Sequence, residues 1–352
     1  KKPTREMLHW HIQQMRYSGE PGWINEEAGK KRRPNFNGCN PCGEILLDSH
    51  GLCNLTTLNV MGFVKDGKLD EKGLLEAQRL SARAGYRMTC RELEIHRWNV
   101  VQERDRLLGC SLTGWQDMVN ATSMSREDQV DLLEKLRRAA HEAADKIAAR
   151  LGEKKPLLVT TVKPEGTLSL LPSVSSGVHY SHAPYYIRRV RISASDPLCK
   201  VCEDLEYPVF PEVGQDAENP VTKVVEFPVK APAGIVKADV TAIQQLENYL
   251  MFMKHYVDHN CSITVHVRDN EWEEVEDWVW DHWDDIVALS FLSYDDSFYE
   301  LLPYEEISQE EYEKRKAAMR PFNPSILTKY EYEETDLDIG DSECVNGVCP
   351  VR

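Results

Sequence analysis

The sequence predicts an α/β fold with mostly parallel strands, because short β-rich segments alternate with amphipathic helical stretches along most of the chain. The 352 residues, 41% of them hydrophobic, are enough to bury a sizeable core as one large or two ordinary domains. No apolar run approaches the ~18 residues that a membrane helix requires, and no internal repeat is present.

In chain order, residues 1 to 38 are polar and punctuated by Gly22, Gly29, Pro34 and Gly38, the pattern of a helix followed by a loop. Cys53 to Val60 is rich in β-formers and predicts a strand. A helix is expected over 72 to 89, and a second short strand from Arg106 to Thr113. Ser125 can cap a long amphipathic helix from Arg126 to about Leu151, and Gly152 stops it. Pro156 to Val162 reads as a buried strand running into the loop Lys163 to Ser169. Strands follow at Tyr185 to Ile192 and at 221 to 229. A helix at 241 to 257 then leads into a strand from Ser262 to Val267. Residues 270 to 290 form a Trp-rich helix. The spacing of Trp272, Trp278, Trp280 and Trp283 is that of a packed helix, not a cofactor box. From about Leu327 the pattern fades into an acidic tail that ends in Cys344-Val-Asn-Gly-Val-Cys349 and three further residues. The expected organisation is a folded portion over 1–326 and a flexible tail over 327–352.

Formal net charge is −16, from 58 acidic and 42 basic residues, which argues against a nucleic-acid coat because phosphate backbones demand a positive footprint. The charge is uneven: Arg188, Arg189 and Arg191 share one basic strand, while 271 to 313 is heavily acidic and reads as a solvated helical face. The start, Lys1-Lys2-Pro3-Thr4-Arg5, is neither a secretory signal nor a methionine start and reads as a cut or processed end. Ten cysteines fall short of the roughly 8–10% of a disulfide scaffold. With no signal peptide they point to a reducing cytoplasm, where a cysteine is buried and inert, metal-binding or redox-active.

Asn40-Pro41-Cys42-Gly43-Glu44 is a tight segment with a stiff proline and a permissive glycine, so Cys42 sits at a rigid tip with a carboxylate two residues away. A thiol near a carboxylate and an amide suits hydrogen-atom chemistry coupled to proton transfer, with Glu44 as base and Asn40 orienting a hydroxyl. Alternatives remain at this point. Cys39 and Cys42 form a C-x-x-C pair, as do Cys199 and Cys202, so a zinc half-site or a thioredoxin-like pair is conceivable. The two pairs lie far apart for a zinc ribbon, and no compact βαβ unit surrounds the first. The loop Lys163-Pro164-Glu165-Gly166-Thr167-Leu168-Ser169 offers backbone N–H groups, two hydroxyls and a glycine, which suits a phosphate cradle ahead of a helix or an ordinary strand-to-helix turn. Glu165 is unwelcome beside phosphate, so its side chain should turn away or meet a cation. His179, Tyr180 and His182 read as satisfied structural residues. Cys39, Cys90, Cys110, Cys199, Cys202 and Cys261 read mostly as buried small hydrophobes.

Taken in order, these segments resemble a family. Asn40 to Glu44, with Cys53 eleven residues after Cys42, is similar to the finger loop of ribonucleotide reductases, particularly the adenosylcobalamin-dependent (class II) enzymes. Lys163 to Ser169, followed by Gly177 to Ile192, resembles that class's phosphate loop and the strand after it. The terminal Cys344 and Cys349 resemble its shuttle pair, and residues 289 to 307 resemble the monomeric, triphosphate-reducing branch. The resemblance implies the C-terminal part of a ten-stranded α/β barrel whose finger loop spans about 36–53. It implies that Cys42 becomes a thiyl radical by hydrogen loss to adenosylcobalamin and takes the 3′-hydrogen of a ribonucleotide. Glu44 then serves as base, Asn40 holds a hydroxyl and Cys53 is one of two reducing thiols. Pro164, Glu165, Gly166, Thr167, Leu168 and Ser169 form the phosphate loop, and Cys344 with Cys349 passes oxidation to thioredoxin or a similar dithiol. The second reducing thiol lies in the family's N-terminal half, which no segment here resembles. An N-terminal partner or segment is therefore expected, and no nucleic acid or membrane. Rival readings are a diphosphate reductase with another radical source, and a non-catalytic thiol-redox or zinc-binding module.

Overall fold

The structure, a computed structural model, describes residues 2–294 and 301–331. They fall into two compact units, one taking the chain up to Pro184 and resuming at Lys230, the other taking Tyr185–Val229 and the described residues from 301 on.

The first unit sets parallel extended segments side by side in sequence order. Strand Asn54–Asn59 pairs with Leu108–Thr113 in parallel, Asn54 opposite Leu108 and Asn59 opposite Thr113. Cys110 bridges to Thr160, and Val162 to Cys261, both in parallel. Thr264–Val267 then pairs in parallel with Ala288–Ser293, whose far edge takes Trp23–Ile24 antiparallel. Helices fill the crossovers: Glu71–Thr89 and His96–Asp105 after the first strand, Arg126–Leu151 after the second, and Ala242–His255 and Trp272–Asp281 later. Among the described residues this order leaves Asn54–Asn59 with a single neighbour, and all six of its residues are half-buried. No closed barrel forms among the described residues.

Local chemistry explains the elements. Ser125 caps Arg126–Leu151 by accepting from Asp128 N–H, and Gly152 ends it at φ +70°. Its buried face carries Leu132, Leu133 and Leu136 and then Ala139, Ala140, Ala143, Ala144 and Ala148. Ala140, Ala143, Ala144 and Ala148 of that row pack with Ala82 and Tyr86 of Glu71–Thr89 in one apolar cluster. A Thr241/Gln244 capping box opens Ala242–His255, which is buried nearly all round.

Several expectations need correction. The Trp-rich helix stops at Asp281 instead of running to 290, and Ala288–Ser293 is a strand. His282 stacks on Trp278 at 4.2 Å and its N–H returns to the Trp278 carbonyl, closing the helix, and the β-forming run Ile286-Val287 then resumes extended chain. Pro156 to Val162 is extended but is no ladder strand. Its Val159 and Thr160 N–H groups donate to the Asp258 carboxylate at 2.9 and 3.2 Å, leaving only isolated bridges. Parallel pairing is confined to the first unit and does not dominate. Short hairpins such as Gly38–Cys39 with Leu46–Leu47 are antiparallel. So are the pairings of Tyr304–Glu306 with Tyr185–Ser193 and of Thr222–Lys230 with Val209–Pro211 in the second unit. Helices Glu26–Arg32, Trp115–Thr122 and Gln309–Ala318 were not anticipated.

In the second unit the basic strand is neutralised internally. Arg189 pairs with Glu226 and Glu305, and Arg191 with Glu212 at 2.6 Å. No helix among the described residues is long and apolar enough to cross a membrane.

Four histidines in the first unit are held neutral by burial. His182 and His259 are pushed down to about 4 and His266 to about 3, and His179 is also lowered. Their unfolded values lie near 6.5, so below that pH the unfolded chain binds more protons than the folded one. The thermal midpoint should therefore be highest near neutrality and fall as pH drops from about 6.5 towards 4, measured by circular dichroism. An unchanged midpoint across that window would contradict neutral burial.

Candidate active site

The segment around Cys42 is a hydrogen-bonded turn. Gly43 N–H donates to Asn40 O at 2.8 Å, with Pro41 fixing the first corner. Gly43 has φ +75°, a left-handed conformation that a side chain resists. Asn40 Oδ1 accepts from Ile45 N–H at 3.0 Å, which folds the amide back onto the loop and leaves its NH2 as a donor. Cys42 is exposed at the tip.

The stretch His259–Ser262 and Thr161 hold this turn by its backbone. Ser262 Oγ donates to Cys42 O at 2.6 Å, and Asn260 Nδ2 to Gly43 O at 3.0 Å. Asn260 N–H donates to Glu44 O at 3.1 Å, and the Thr161 hydroxyl lies 2.8 Å from the same oxygen. Leu46 N–H donates to His259 Nδ1 at 3.2 Å, which assigns the proton to Nε2, bonded to Leu108 O at 2.8 Å. Asn260 is itself fixed by Tyr249, whose hydroxyl donates to its Oδ1 at 2.9 Å. At the base, fully buried Arg33 reaches Leu46 O at 2.9 Å and pairs with Asp105. None of these residues was singled out from sequence. The one available signal is the polar run Asp258-His259-Asn260 set between an apolar helix and an apolar strand.

Glu44 is completely buried, and neither carboxylate oxygen has a hydrogen-bond partner among the described residues. An unpaired buried carboxylate is costly and marks a group held ready for a partner. Its charge reaches Cys53, whose thiol is pushed well above the usual range by burial first, with Cys110 and Glu44 adding to it. Burial and Glu44 raise Cys39 likewise. Both sulfurs therefore stay protonated at neutral pH and offer S–H bonds in place of nucleophilic thiolates. Cys53 lies against the neighbouring strand at Gly109, where an added Cβ would stand 3.2 Å from its sulfur and 2.4 Å from Leu55 Cδ2.

A hollow of about 310 Å³ opens beside the turn, lined by Cys39, Pro41, Cys42 and Gly43 on one side and by Trp23 and Ser290 among others on the rest. Asn40, Glu44 and Cys53 do not line it.

The loop Pro164 to Ser169 passes beneath the first strand. Glu165, at φ +59°, turns inward and accepts from the Thr57 hydroxyl at 2.6 Å. Gly166 has open space where a side chain would stand. The loop enters only a three-residue 3-10 turn, Leu168–Leu170, so it presents turn geometry and no helix N-terminus. His179 donates from Nδ1 to Ser176 O and accepts at Nε2 from Thr264 N–H, and the Tyr180 hydroxyl accepts from Asn248 at 2.7 Å. Cys110, Cys199, Cys202 and Cys261 are buried, whereas Cys90, at a helix C-terminus, is exposed and not the buried small hydrophobe expected. Among the described residues no cluster of three or more His, Cys, Asp or Glu could hold a metal ion. Cys344 and Cys349 lie outside the described residues.

No protein-family model matches the chain. Curated relatives do. The adenosylcobalamin-dependent ribonucleoside-triphosphate reductase of Lactobacillus acidophilus is 26% identical over 376 aligned positions, covering 96% of this chain and 50% of the relative. Those of Lactobacillus delbrueckii subsp. bulgaricus and Lactobacillus leichmannii are 27% and 26% identical, with the same coverage. Its homologues are ribonucleotide reductases. A crystal structure of a B-12-dependent (class II) ribonucleotide reductase superposes with a TM-score of 0.81 at 23% identity, over 93% of this chain and 50% of that one. The Actinobacillus ureae class Id ribonucleotide reductase alpha subunit superposes at 0.55 with 15% identity, over 83% of this chain and 61% of the subunit. The α/β fold is thus that of a class II ribonucleotide reductase, and the chain spans about half the length of the curated relatives it matches.

If the Asn260 contacts hold the reductase-like turn, Asn260→Ala should cost about 1–3 kcal/mol of stability. It should also selectively speed amide exchange at Ile45 and Leu46, read by hydrogen exchange. Uniform change across the chain would show that Asn260 serves only general packing.

Proposed function

We propose that this chain is the catalytic-loop portion of an adenosylcobalamin-dependent ribonucleoside-triphosphate reductase, with Cys42 as the sulfur that carries the radical. The observation that supports it most is the pairing of an exposed thiol on a clamped turn with a fully buried carboxylate two residues on that has no hydrogen-bond partner among the described residues. When bound, the cofactor supplies a homolytic acceptor for the Cys42 hydrogen atom. The Cys42 sulfur then takes the 3′-hydrogen of the ribose. Glu44 accepts the 3′-hydroxyl proton while the 2′-hydroxyl leaves as water, and the Asn40 NH2 holds a sugar hydroxyl in line.

Two electrons must follow, and Cys53, kept as a thiol by burial, provides one of the two S–H groups. We assign the other to an N-terminal half, as a separate chain or a further segment. Asn54–Asn59, half-buried with one neighbour, is where such a half would complete a ten-stranded barrel, since parallel strands are normally covered on both sides. In this reading residues 1–326 belong to the barrel portion. The turn Pro164 to Ser169 cradles the substrate phosphates through backbone N–H groups and the hydroxyls of Thr167 and Ser169, with Glu165 turned away onto Thr57. Residues 327–352 carry Cys344 and Cys349, which reduce the internal disulfide by thiol–disulfide exchange and pass oxidation to thioredoxin or a similar dithiol.

The chain by itself should show no turnover. Supplied with the complementary half and cofactor, it should make deoxynucleotides, and Cys42→Ser should abolish this in a chromatographic assay. Product from the serine variant would sink the proposal. Replacing Cys344 and Cys349 together with serine should spare single-turnover reduction and cycling on a small dithiol while blocking thioredoxin-driven cycling. Equal loss in all three assays would remove the shuttle role.

A further inference from the structure

The second C-x-x-C pair, Cys199 and Cys202, has no part in the chemistry around Cys42. Both cysteines lie in the second unit, on the helix Pro197–Asp204, and both are buried. Residues three apart on a helix share a face, with Cα atoms about 5 Å apart, inside the roughly 4.4–6.8 Å that a disulfide spans. The two sulfurs are close enough to feel each other: burial pushes the Cys202 thiol up to about 11, and Cys199 adds to it. Cys202 belongs to a small apolar cluster with Val201, Leu205, Tyr207 and Val225, against which Met319, Ile326, Leu327 and Tyr330 pack. That cover is tied down at its edge. The Tyr330 hydroxyl and, at 3.5 Å, Lys329 Nζ donate to the Asp204 carboxylate, and the Tyr207 hydroxyl donates to Arg320 O at 2.7 Å. We propose that Cys199 and Cys202 are a redox site of the second unit, a dithiol that closes to an intrahelical disulfide by exchange with a disulfide-bearing molecule once segment 319–331 lifts, and whose oxidation in turn loosens that segment.

Burial and covering explain why the pair rests reduced. Burial raises the Cys199 thiol as well, with Glu203 adding and Lys223 opposing. Little thiolate is therefore present at neutral pH while the cover is down, and the thiolate is the attacking form. The cover is a local element on a small satellite cluster, and such elements open at lower cost than a domain core. When it lifts, one cysteine thiolate attacks a disulfide R–S–S–R and displaces one R–S⁻. The other cysteine then attacks the mixed disulfide and displaces the second. Two thiols become one disulfide, R–S–S–R becomes two R–SH, and the protons lost by the cysteines end on the released thiols. Closing the bond draws the two Cβ atoms from the roughly 5–6 Å of helical neighbours to about 3.5–4.5 Å. That shift pulls Cys202 from the cluster on which Leu327 and Tyr330 are seated. Because the seated segment opposes oxidation, oxidation must oppose seating by the same factor.

The test treats the reduced full chain with glutathione disulfide, blocks free thiols with iodoacetamide, and reads tryptic peptides by mass spectrometry. Lys200 lies between the two cysteines, so trypsin separates them and only the disulfide keeps the peptide ending at Lys200 joined to the one beginning at Val201. The joined peptides should accumulate with time, while Cys261, buried in the first unit, should stay reduced. Tyr330→Phe, which removes one hydrogen bond of the cover, should speed the joining about two- to tenfold. Should that variant fold poorly by its thermal midpoint, Asp204→Asn should give the same acceleration. In the oxidised chain, amide exchange over 327–331 should be faster than in the reduced chain. Absence of the joined peptides in both chains overturns the assignment, as do separate glutathione adducts on the two cysteines in their place. Equal joining rates in a folded variant, or unchanged exchange over 327–331, overturn the coupling to the segment. None of these readouts involves turnover, so the result is independent of the role given to Cys42.

Discussion

A turn whose carbonyls face the packed interior must find donors for them, and that requirement shapes this protein around Cys42. Three successive carbonyls, those of Cys42, Gly43 and Glu44, are taken by Ser262, Asn260 and Thr161, and the next strand is pinned by His259 and Arg33. All but Arg33 come from the third and fourth extended segments of the parallel array. The sulfur is thus placed by bonds to backbone, which leave its own side chain unencumbered. Because each donor sits on a segment fixed by its neighbours, the position of the thiol is a property of the whole array.

The same surroundings decide what kind of chemistry the cysteines can do. Burial raises the thiols of Cys53 and Cys39, and the charge of Glu44 reinforces the effect. A nucleophilic cysteine is made by the opposite arrangement, a nearby cation or a helix N-terminus. Here burial and the Glu44 carboxylate outweigh the opposing Arg33 charge at Cys53, and that favours intact S–H bonds. Among the described residues Glu44 has no hydrogen-bond partner, as the proposed role of base requires.

What was legible in the sequence follows from period and punctuation. Ser125 and Gly152 bracket their helix as read, because caps act within one turn of chain. The strands Asn54–Asn59 and Leu108–Thr113 were visible in their β-formers. The Trp-rich helix was overextended because tryptophan spacing continues past His282, while the side-chain cap that ends the helix leaves no periodic mark. Pro156 to Val162 looked like a strand because it is apolar and extended. That its N–H groups go to Asp258 depends on a residue about a hundred positions away.

By itself the sequence determined the short-range part: the stiff Asn40-Pro41-Cys42-Gly43 bend, the carboxylate two residues on, and the resemblance of the ordered motifs to a reductase. Proline and glycine set dihedrals locally, so these could be read without a fold. Only the tertiary structure decided which groups hold the bend, that Glu44 is shut away from water while Cys42 is not, and that the hollow beside the sulfur is walled by Trp23 and carries no cation. The reason is that the donors to the carbonyls of Cys42, Gly43 and Glu44 come from Ser262, Asn260 and Thr161, each more than a hundred positions distant, and no local pattern encodes which of them will arrive.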